Sequence, residues 1–434
     1  MKTPNIYKAL LIIAFMLPFF AAKAQIPYVK QVLIANGGNF GNPGNKITIG
    51  SYDPVAKKYK IFDSVPGGSV TQILVDTNGT AYMATDSFLV KYDLTTLKRT
   101  GIVEAHSIRY LAFYKDNIGA SIGEDGNFSN FKMFKKSDLS LVYRETKLKT
   151  TWCEGLTIQG DSAYIAMQGS YPYRDSVFPF KADTGKIGVL DLVNMKVKRT
   201  IYLDTLTRGL AHMFSGKNYI VATTENYPPD NSYISKVDLK TGAKKIVAKP
   251  IMYSPFALYD DSLYAYFNSG LTGYNVVAQK GSGSAIPAQQ FLAGAYDTIN
   301  NLFYLTGLDF TNPTLARVYN HNGTETDSFH IGVSPQGIAI QYAQKSGINE
   351  AENFSFEAQL FPNPAKTDLY LSGINMKNAS ISISDIAGKI IFTENKDLSQ
   401  LQALNIPVEM LPIGVYILNV RNSEGTFSKK FIKN

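Results

Sequence analysis

Ala163-Tyr164-Ile165-Ala166, a tyrosine inside a short apolar strand that follows a turn at Gly160-Asp161, decides the fold because it recurs. Copies stand at Ala81-Tyr82-Met83-Ala84, Asn218-Tyr219-Ile220-Val221, Leu263-Tyr264-Ala265-Tyr266 and Phe303-Tyr304-Leu305-Thr306, at the spacing of a propeller blade. A second phased element is a strand-to-turn join: Ser51-Tyr52-Asp53-Pro54, Lys91-Tyr92-Asp93-Leu94, Val189-Leu190-Asp191-Leu192 and Lys236-Val237-Asp238-Leu239. Lys136-Ser137-Asp138-Leu139 and Gly273-Tyr274-Asn275 are weaker copies. An Asp or Asn suits that place because its side chain bonds the backbone two residues on. Further turn signals fall at Asn78-Gly79, Ser215-Gly216 and Asp260-Asp261, and no segment keeps a helical period. Four short strands per unit at this period predict an all-β chain whose main body is a β-propeller.

The units fall at about 69–104, 107–148, 151–203, 206–249, 252–291 and 293–331, with a first unit, 27–66, that holds only three strands. Its missing strand stands at the far end. Ser334-Pro335-Gln336-Gly337-Ile338-Ala339-Ile340 matches the inner-strand openings Trp152-Cys153-Glu154-Gly155-Leu156 and Thr207-Arg208-Gly209-Leu210. Pairing this last strand with the first unit closes a ring of seven blades and removes the bare edges that invite aggregation.

The first 24 residues carry Lys2 and Lys8, an apolar run from Ala9 to Phe20, and Ala22-Lys23-Ala24, the small-x-small form of a signal-peptidase site. The apolar run is short of the ~20 residues a bilayer span needs, so a cleaved signal peptide over 1–24 is the expectation. Cys153, the single cysteine, lies far from that site, which leaves no lipid-bearing cysteine and no internal disulfide. Beside Trp152 in an apolar strand, it reads as a buried inert thiol more than a reactive one. Lysine and arginine number 43 against 35 acids, but the charges are scattered, which argues against nucleic acid as a partner.

Leu33-Ile34-Ala35-Asn36-Gly37-Gly38-Asn39-Phe40-Gly41, followed by Ile47-Thr48-Ile49-Gly50-Ser51-Tyr52-Asp53-Pro54, resembles the opening of the YncE-like, DUF5074-type surface propellers of Bacteroidota and the wider YVTN-repeat group. The resemblance covers about 27–343 and fades in blades six and seven, where the Asp-Leu join is lost. It implies a surface or periplasmic propeller, and for some members capture of nutrients for a TonB-dependent transporter. Such a motif is structural and transfers a fold more securely than a ligand.

Past a polar linker, 344–351, the pattern changes. Phe361-Pro362-Asn363-Pro364 opens a new domain, 352–434, followed by Leu369-Tyr370-Leu371, Ile381 to Lys389, Leu411 to Leu418 and Ser428-Lys429-Lys430-Phe431. The alternating strands predict a small Ig-like β-sandwich. In order and placement the motifs are similar to the type A sorting domain of type IX secretion substrates, with Ile413 where that family has a smaller residue before the glycine. The resemblance implies that Pro362, Asn363, Pro364, Asp385, Gly388, Lys389, Gly414, Tyr416 and Lys430 form the sorting motif. It further implies that the type IX machinery is a partner, that the cargo leaves through the periplasm for the outer-membrane surface or the exterior, and that the tail is removed.

Loops entering the inner strands and loops joining second to third strands gather on one propeller face, the default place for a binding site. Aligning inner strands by their turns puts Thr71, Arg109, Glu154, Arg208, Ser254 and Gln336 at equivalent positions near the channel mouth. Arg109 and Arg208 suit a carboxylate or phosphate, with Glu154 pairing them or serving as an acid-base group; a salt-bridge ring that satisfies itself is the alternative. A long loop from Gln168 to Lys186 adds Tyr171, Tyr173 and Phe178, which either recognise a ligand or pack on neighbouring blades. The four histidines form no His-Glu-x-x-His pair, and no Cys-x-x-Cys, Gly-x-Ser-x-Gly or phosphate loop occurs, so neither metal nor cofactor is expected. Glu124-Asp125-Gly126-Asn127 offers too few oxygens for calcium. Asp161-Ser162-Ala163, Asp261-Ser262-Leu263 and Asp297-Thr298-Ile299 resemble an O-glycosylation sequon of exported Bacteroidota proteins, and turn chemistry explains them equally.

The expectation is an exported, non-catalytic propeller that captures a small nutrient, glycan or protein partner. A lactonase- or lyase-like propeller enzyme and a passive adhesion module are the alternatives.

Overall fold

The computed structural model describes residues 26–434 except 40, 41, 43, 124–128, 149, 151, 171–180, 206, 225–231, 250–251, 268–269, 287–289, 346–357, 374–375, 387 and 423–425. The expected signal peptide, Tyr171, Tyr173, Phe178 and the Glu124 turn therefore lie outside the described residues. Every described element is a β-strand. Contacts divide the chain into a unit spanning Pro27–Ala343 and another that includes Gln344–Asn434.

The first unit is a seven-bladed propeller. Six consecutive antiparallel meanders form blades two to seven, from Val70–Val75 in the second to Glu325–Val333 in the seventh. Blade one takes its inner strand from the chain's far side: Gly337–Lys345 lies beside Ile26–Asn36, then Lys46–Asp53 and Lys58–Pro66. Gly37 and Gly38 donate their amides to the Ser334 and Val333 carbonyls at 2.7 and 3.0 Å, and Gln31 Nε2 donates to Gln341 Oε1 at 2.7 Å. Burial follows the same ring. One apolar cluster lies between each neighbouring pair of blades, and the closing one joins Val29, Val32, Ile34 and Tyr52 of blade one to Tyr304, Val318 and Phe329 of blade seven.

The recurring tyrosine now has a cause. It stands on the second strand of its blade with its ring buried against the next blade, and burial obliges the hydroxyl to find a partner there. Tyr82 donates to the Lys136 carbonyl at 3.3 Å, Tyr219 to Asp261 Oδ1 at 2.5 Å, and Tyr264 meets His321 Nε2 at 3.3 Å. Each bond therefore runs from one blade to the following one.

The aspartate at the strand-to-turn join accepts two backbone amides. Asp53 Oδ1 takes Val55 and Ala56 at 2.8 and 2.9 Å, Asp191 takes Val193 and Asn194 at 3.0 Å each, and Asn275 repeats the arrangement. Four residues after each stands a left-handed residue: Lys57, Leu97, Met195, Gly242 and Gln279, with φ between 49° and 75°. Only Gly242 announces this conformation in its side chain.

These turns make the propeller acid-sensitive with a definite sign. The Thr96 amide holds Asp93, the Asn194 side chain holds Asp191 and the Thr241 amide holds Asp238 below the usual carboxylate range. A carboxyl with a lowered folded pKa contributes stability above its unfolded value of about 4, and that stability is lost as pH falls through the folded value. The denaturant midpoint is expected to drop between pH 4 and pH 2. A variant with Asn at positions 93, 191 and 238 keeps the acceptors, does not titrate, and is expected to lose less.

The second unit is a sandwich of a three-stranded sheet, Gln359–Phe361, Asp368–Ser372 and Ala403–Pro407, and a four-stranded sheet built on Ala379–Asp385 and Gly414–Arg421. Leu369, Leu371, Leu404 and Ile406 of the first close on Ile381, Ile383, Leu418, Val420 and Phe431 of the second in one core.

Candidate functional site

An antiparallel meander puts its first and third turns at one end of a blade. The loops between second and third strands, and those entering the next inner strand, therefore share the other end. At that end the inner strands open in a way the sequence does not announce: a β-bulge. In blade two Val70 pairs with Thr85 and Gln72 with Ala84, leaving Thr71 extra; in blade three Ile108 pairs with Ile122 and Tyr110 with Ser121, leaving Arg109 extra. In blade four Glu154 and Gly155 lie between the pairs Cys153–Met167 and Leu156–Ile165; in blade six the irregularity spans Ser254 to Phe256. A bulge bends the strand and re-aims the side chain it carries.

Arg208 is the misplaced member of the expected ring. The bulge of blade five lies between Leu210 and His212, so Ala211 holds the equivalent position. Arg208 stands three residues earlier, exposed, with its Nε donating to the Thr205 carbonyl at 3.4 Å. The Gly-Leu pair common to Gly155-Leu156 and Gly209-Leu210 is not structurally equivalent: the bulge holds Gly155 in blade four and falls after Leu210 in blade five. Gln336 is occupied at the ring closure: its Oε1 accepts the Val70 amide at 2.7 Å and its Nε2 donates to Ser334 Oγ at 2.9 Å. Thr71 Oγ1 reaches the Ala84 carbonyl at 3.4 Å, and Ser254 Oγ donates to the Phe291 carbonyl at 3.1 Å.

Arg109 and Glu154 do come together. Arg109 Nε lies 2.9 and 3.0 Å from the two Glu154 oxygens, Trp152 Nε1 donates to Oε1 at 2.6 Å, and the guanidinium carbon stands 5.5 Å from the Trp152 ring centroid. The Glu154 side chain is 7 % exposed against 36 % for Arg109, so the acid is enclosed and the cation faces outward. Burial of the carboxylate is tolerated because both oxygens are engaged.

His212 is the member that sequence reading overlooked. It is half-buried on the inner strand of blade five and shares a short hydrogen bond between its Nδ1 and the Tyr110 hydroxyl of blade three. Burial pushes its pKa down to about 4, the Glu154 charge opposing and the Arg109 charge assisting. The bond thus joins blades three and five, which are not neighbours in the ring. Gln72, Tyr110 and His212 each stand next after a bulge, an equivalence that only the strand register reveals. His106, in contrast, is exposed and paired with Glu104 at 2.6 Å.

Cys153 is fully buried, and burial raises its thiol pKa far above the ordinary range. Among the described residues no three His, Cys, Asp or Glu side chains gather as metal ligands would. The aspartates of the three Asp-Ser/Thr triplets serve the fold: Asp161 accepts the Tyr114 hydroxyl at 2.7 Å, Asp261 that of Tyr219, and Asp297 the Ile299 amide at 2.9 Å. Ser262 is itself buried and bonded to Ser282 at 2.8 Å.

In the tail the motif residues build structure. Asn363 clasps the last strand, its Oδ1 accepting the Ile432 amide at 2.9 Å and its Nδ2 donating to the Lys430 carbonyl at 3.3 Å. Pro362 and Pro364 flank it with cis bonds. Asp385 accepts the Lys389 amide at 3.0 Å around Gly388, whose φ of +83° requires glycine. Gly414 begins the strand on which Tyr416 lies, and the Tyr416 hydroxyl donates to the Pro412 carbonyl at 2.8 Å.

Residues 359–434 match the family model described as the secretion system C-terminal sorting domain. The chain is thus a cargo of that secretion machinery, bound for the cell surface or the exterior. The fold has solved counterparts at low identity. A Bacteroides fragilis protein provisionally described as a 6-phosphogluconolactonase superposes with a TM-score of 0.51 at 10 % identity, over 72 % of this chain and 98 % of that one. Hydrazine synthase of Kuenenia stuttgartiensis gives 0.50 at 12 % identity, over 65 % and 97 %. These likenesses establish the fold alone. No curated protein matches the sequence.

Proposed function

We propose that this chain is a non-catalytic binding protein, exported with a signal peptide over 1–24 and delivered by the type IX system, whose loop-bearing propeller face captures a small nutrient, glycan or protein partner. The reading places it with the YncE-like, DUF5074-type surface propellers and makes a TonB-dependent transporter a candidate recipient. The observation that carries it is the cluster at the loop-bearing end, where the Arg109 guanidinium, part-exposed, is held on the enclosed Glu154 carboxylate beside the Trp152 ring.

The enzyme alternative needs Glu154 or His106 as a base, and His106 is exposed and paired with Glu104. Both Glu154 oxygens are engaged by Arg109 and Trp152, which suits a fixed counter-ion that aims the guanidinium better than it suits a proton acceptor. The provisional lactonase description of the B. fragilis protein brings no activity to this chain at 10 % identity.

The test uses the propeller as exported. Arg109→Lys keeps the charge but loses the Nε donor shared by the two Glu154 oxygens and the planar guanidinium beside Trp152, and is expected to weaken capture of a ligand found by screening by about tenfold, or ~1.4 kcal/mol. Unchanged affinity for every ligand found would remove the mouth from the reading, and turnover of a lactone by the purified protein would replace capture with catalysis.

A further inference from the structure

A second site lies off the propeller axis. A half-open cleft of about 480 Å³ sits on blade seven, bounded by Gln290 from the loop entering that blade and by Leu308 and Asp309 from the loop joining its second and third strands. Arg317, Leu315 and His330 line it from the two outer strands, where Leu315 and His330 are direct cross-strand partners. Its volume falls in the lower half of the range of small-molecule sites.

The charges here are held and balanced. Arg317 Nη1 lies 2.9 Å from both Glu325 oxygens, so its charge is matched within the blade. Asp309 Oδ1 accepts the Thr311 and Asn312 amides at 2.8 Å each, which fixes the loop, and the Asp309 carbonyl accepts the Ser334 amide at 2.9 Å. The Asn312 amide holds the Asp309 carboxyl below its ordinary pKa, so it remains an acceptor near neutral pH. An anionic ligand would meet Asp309, and a cationic one Arg317. What remains is a lining with acceptors at Asp309, donors at Arg317, both at Gln290 and His330, and apolar surface at Leu308, which is 45 % exposed, and Leu315. A polyhydroxylated ring, with hydroxyls at its rim and a C–H face, complements that combination.

We infer that the blade-seven cleft binds a neutral saccharide of one or two rings. The inference rests on the reading of the propeller as a capture protein and gives that capture a second location and a ligand class. The experiment is calorimetric titration of the full mature chain with maltose, cellobiose and lactose, with glucuronate and inorganic phosphate as charged comparators. At least one disaccharide is expected to bind saturably and more tightly than either anion. His330→Ala, an exposed strand position, and Asp309→Asn, which keeps an acceptor for the loop amides, are each expected to weaken it by about tenfold. Absence of saturable binding, preference for an anion, or wild-type affinity in both variants would overturn the cleft. Loss of saccharide binding in Arg109→Lys with retention in both cleft variants would likewise overturn it, while leaving capture at the mouth standing.

Discussion

Gly155→Val is expected to destabilise the propeller by more than about 3 kcal/mol, enough to lower its melting temperature by several degrees or to abolish soluble expression. A Cβ at this position would lie 2.5 Å from the Met213 amide nitrogen, 2.7 Å from the His212 carbonyl carbon and 2.8 Å from the Ala211 oxygen. All three are backbone atoms of the neighbouring inner strand. No side chain can swing away, so relief demands that blade five move outward, which opens the apolar cluster it shares with blade four. It would also shift the His212 backbone, and with it the ring that meets the Tyr110 hydroxyl. Gly281→Ala is the control: nothing lies within 4 Å of its Cβ and no positive φ is required, so its effect is expected within ±0.5 kcal/mol or slightly stabilising. Thermal melts of the two variants beside the parent decide the matter, and equal melting temperatures would refute the close approach of the inner strands.

What the sequence made legible was whatever repeats. Tyr82, Tyr164, Tyr219, Tyr264 and Tyr304 are phased because each blade meets its successor through the same strand, and Asp53, Asp93, Asp191 and Asp238 because each outer turn has the same geometry. Ring closure was legible in Gly337-Ile338-Ala339 for the same reason. The bulges were not, since Thr71, Arg109, Glu154 and Ala211 share no side-chain chemistry; what they share is a surplus of one residue against the partner strand. Arg208 was misassigned through that gap, three residues from where Ala211 stands. His212 was missed because its partner is Tyr110, two blades away, and nothing local to either residue marks the pair. The blade-seven cleft escaped for a similar reason: Asp309, Arg317 and His330 belong to three different elements.

Between about pH 6.5 and pH 4 the propeller is expected to lose stability on the order of 3 kcal/mol through His212 alone. An exposed imidazole takes up its proton near 6.5, whereas burial among Tyr110, Arg109 and Glu154 holds the folded ring neutral down to about 4. In that window the unfolded chain binds the proton and the folded one does not, so unfolding gains with every step down in pH, and the loss is complete below the folded value. The turn aspartates act below about pH 4, so the two contributions separate on the pH axis. His212→Gln supplies the comparison, since its amide still offers the Tyr110 hydroxyl a partner and does not titrate. Denaturant midpoints measured from pH 7 to pH 4.5 are expected to fall steeply in the parent and to stay nearly flat in the variant. Parallel slopes would mean that the folded ring takes up its proton as readily as the unfolded one, and would dissolve the argument that burial on the inner strand keeps it neutral.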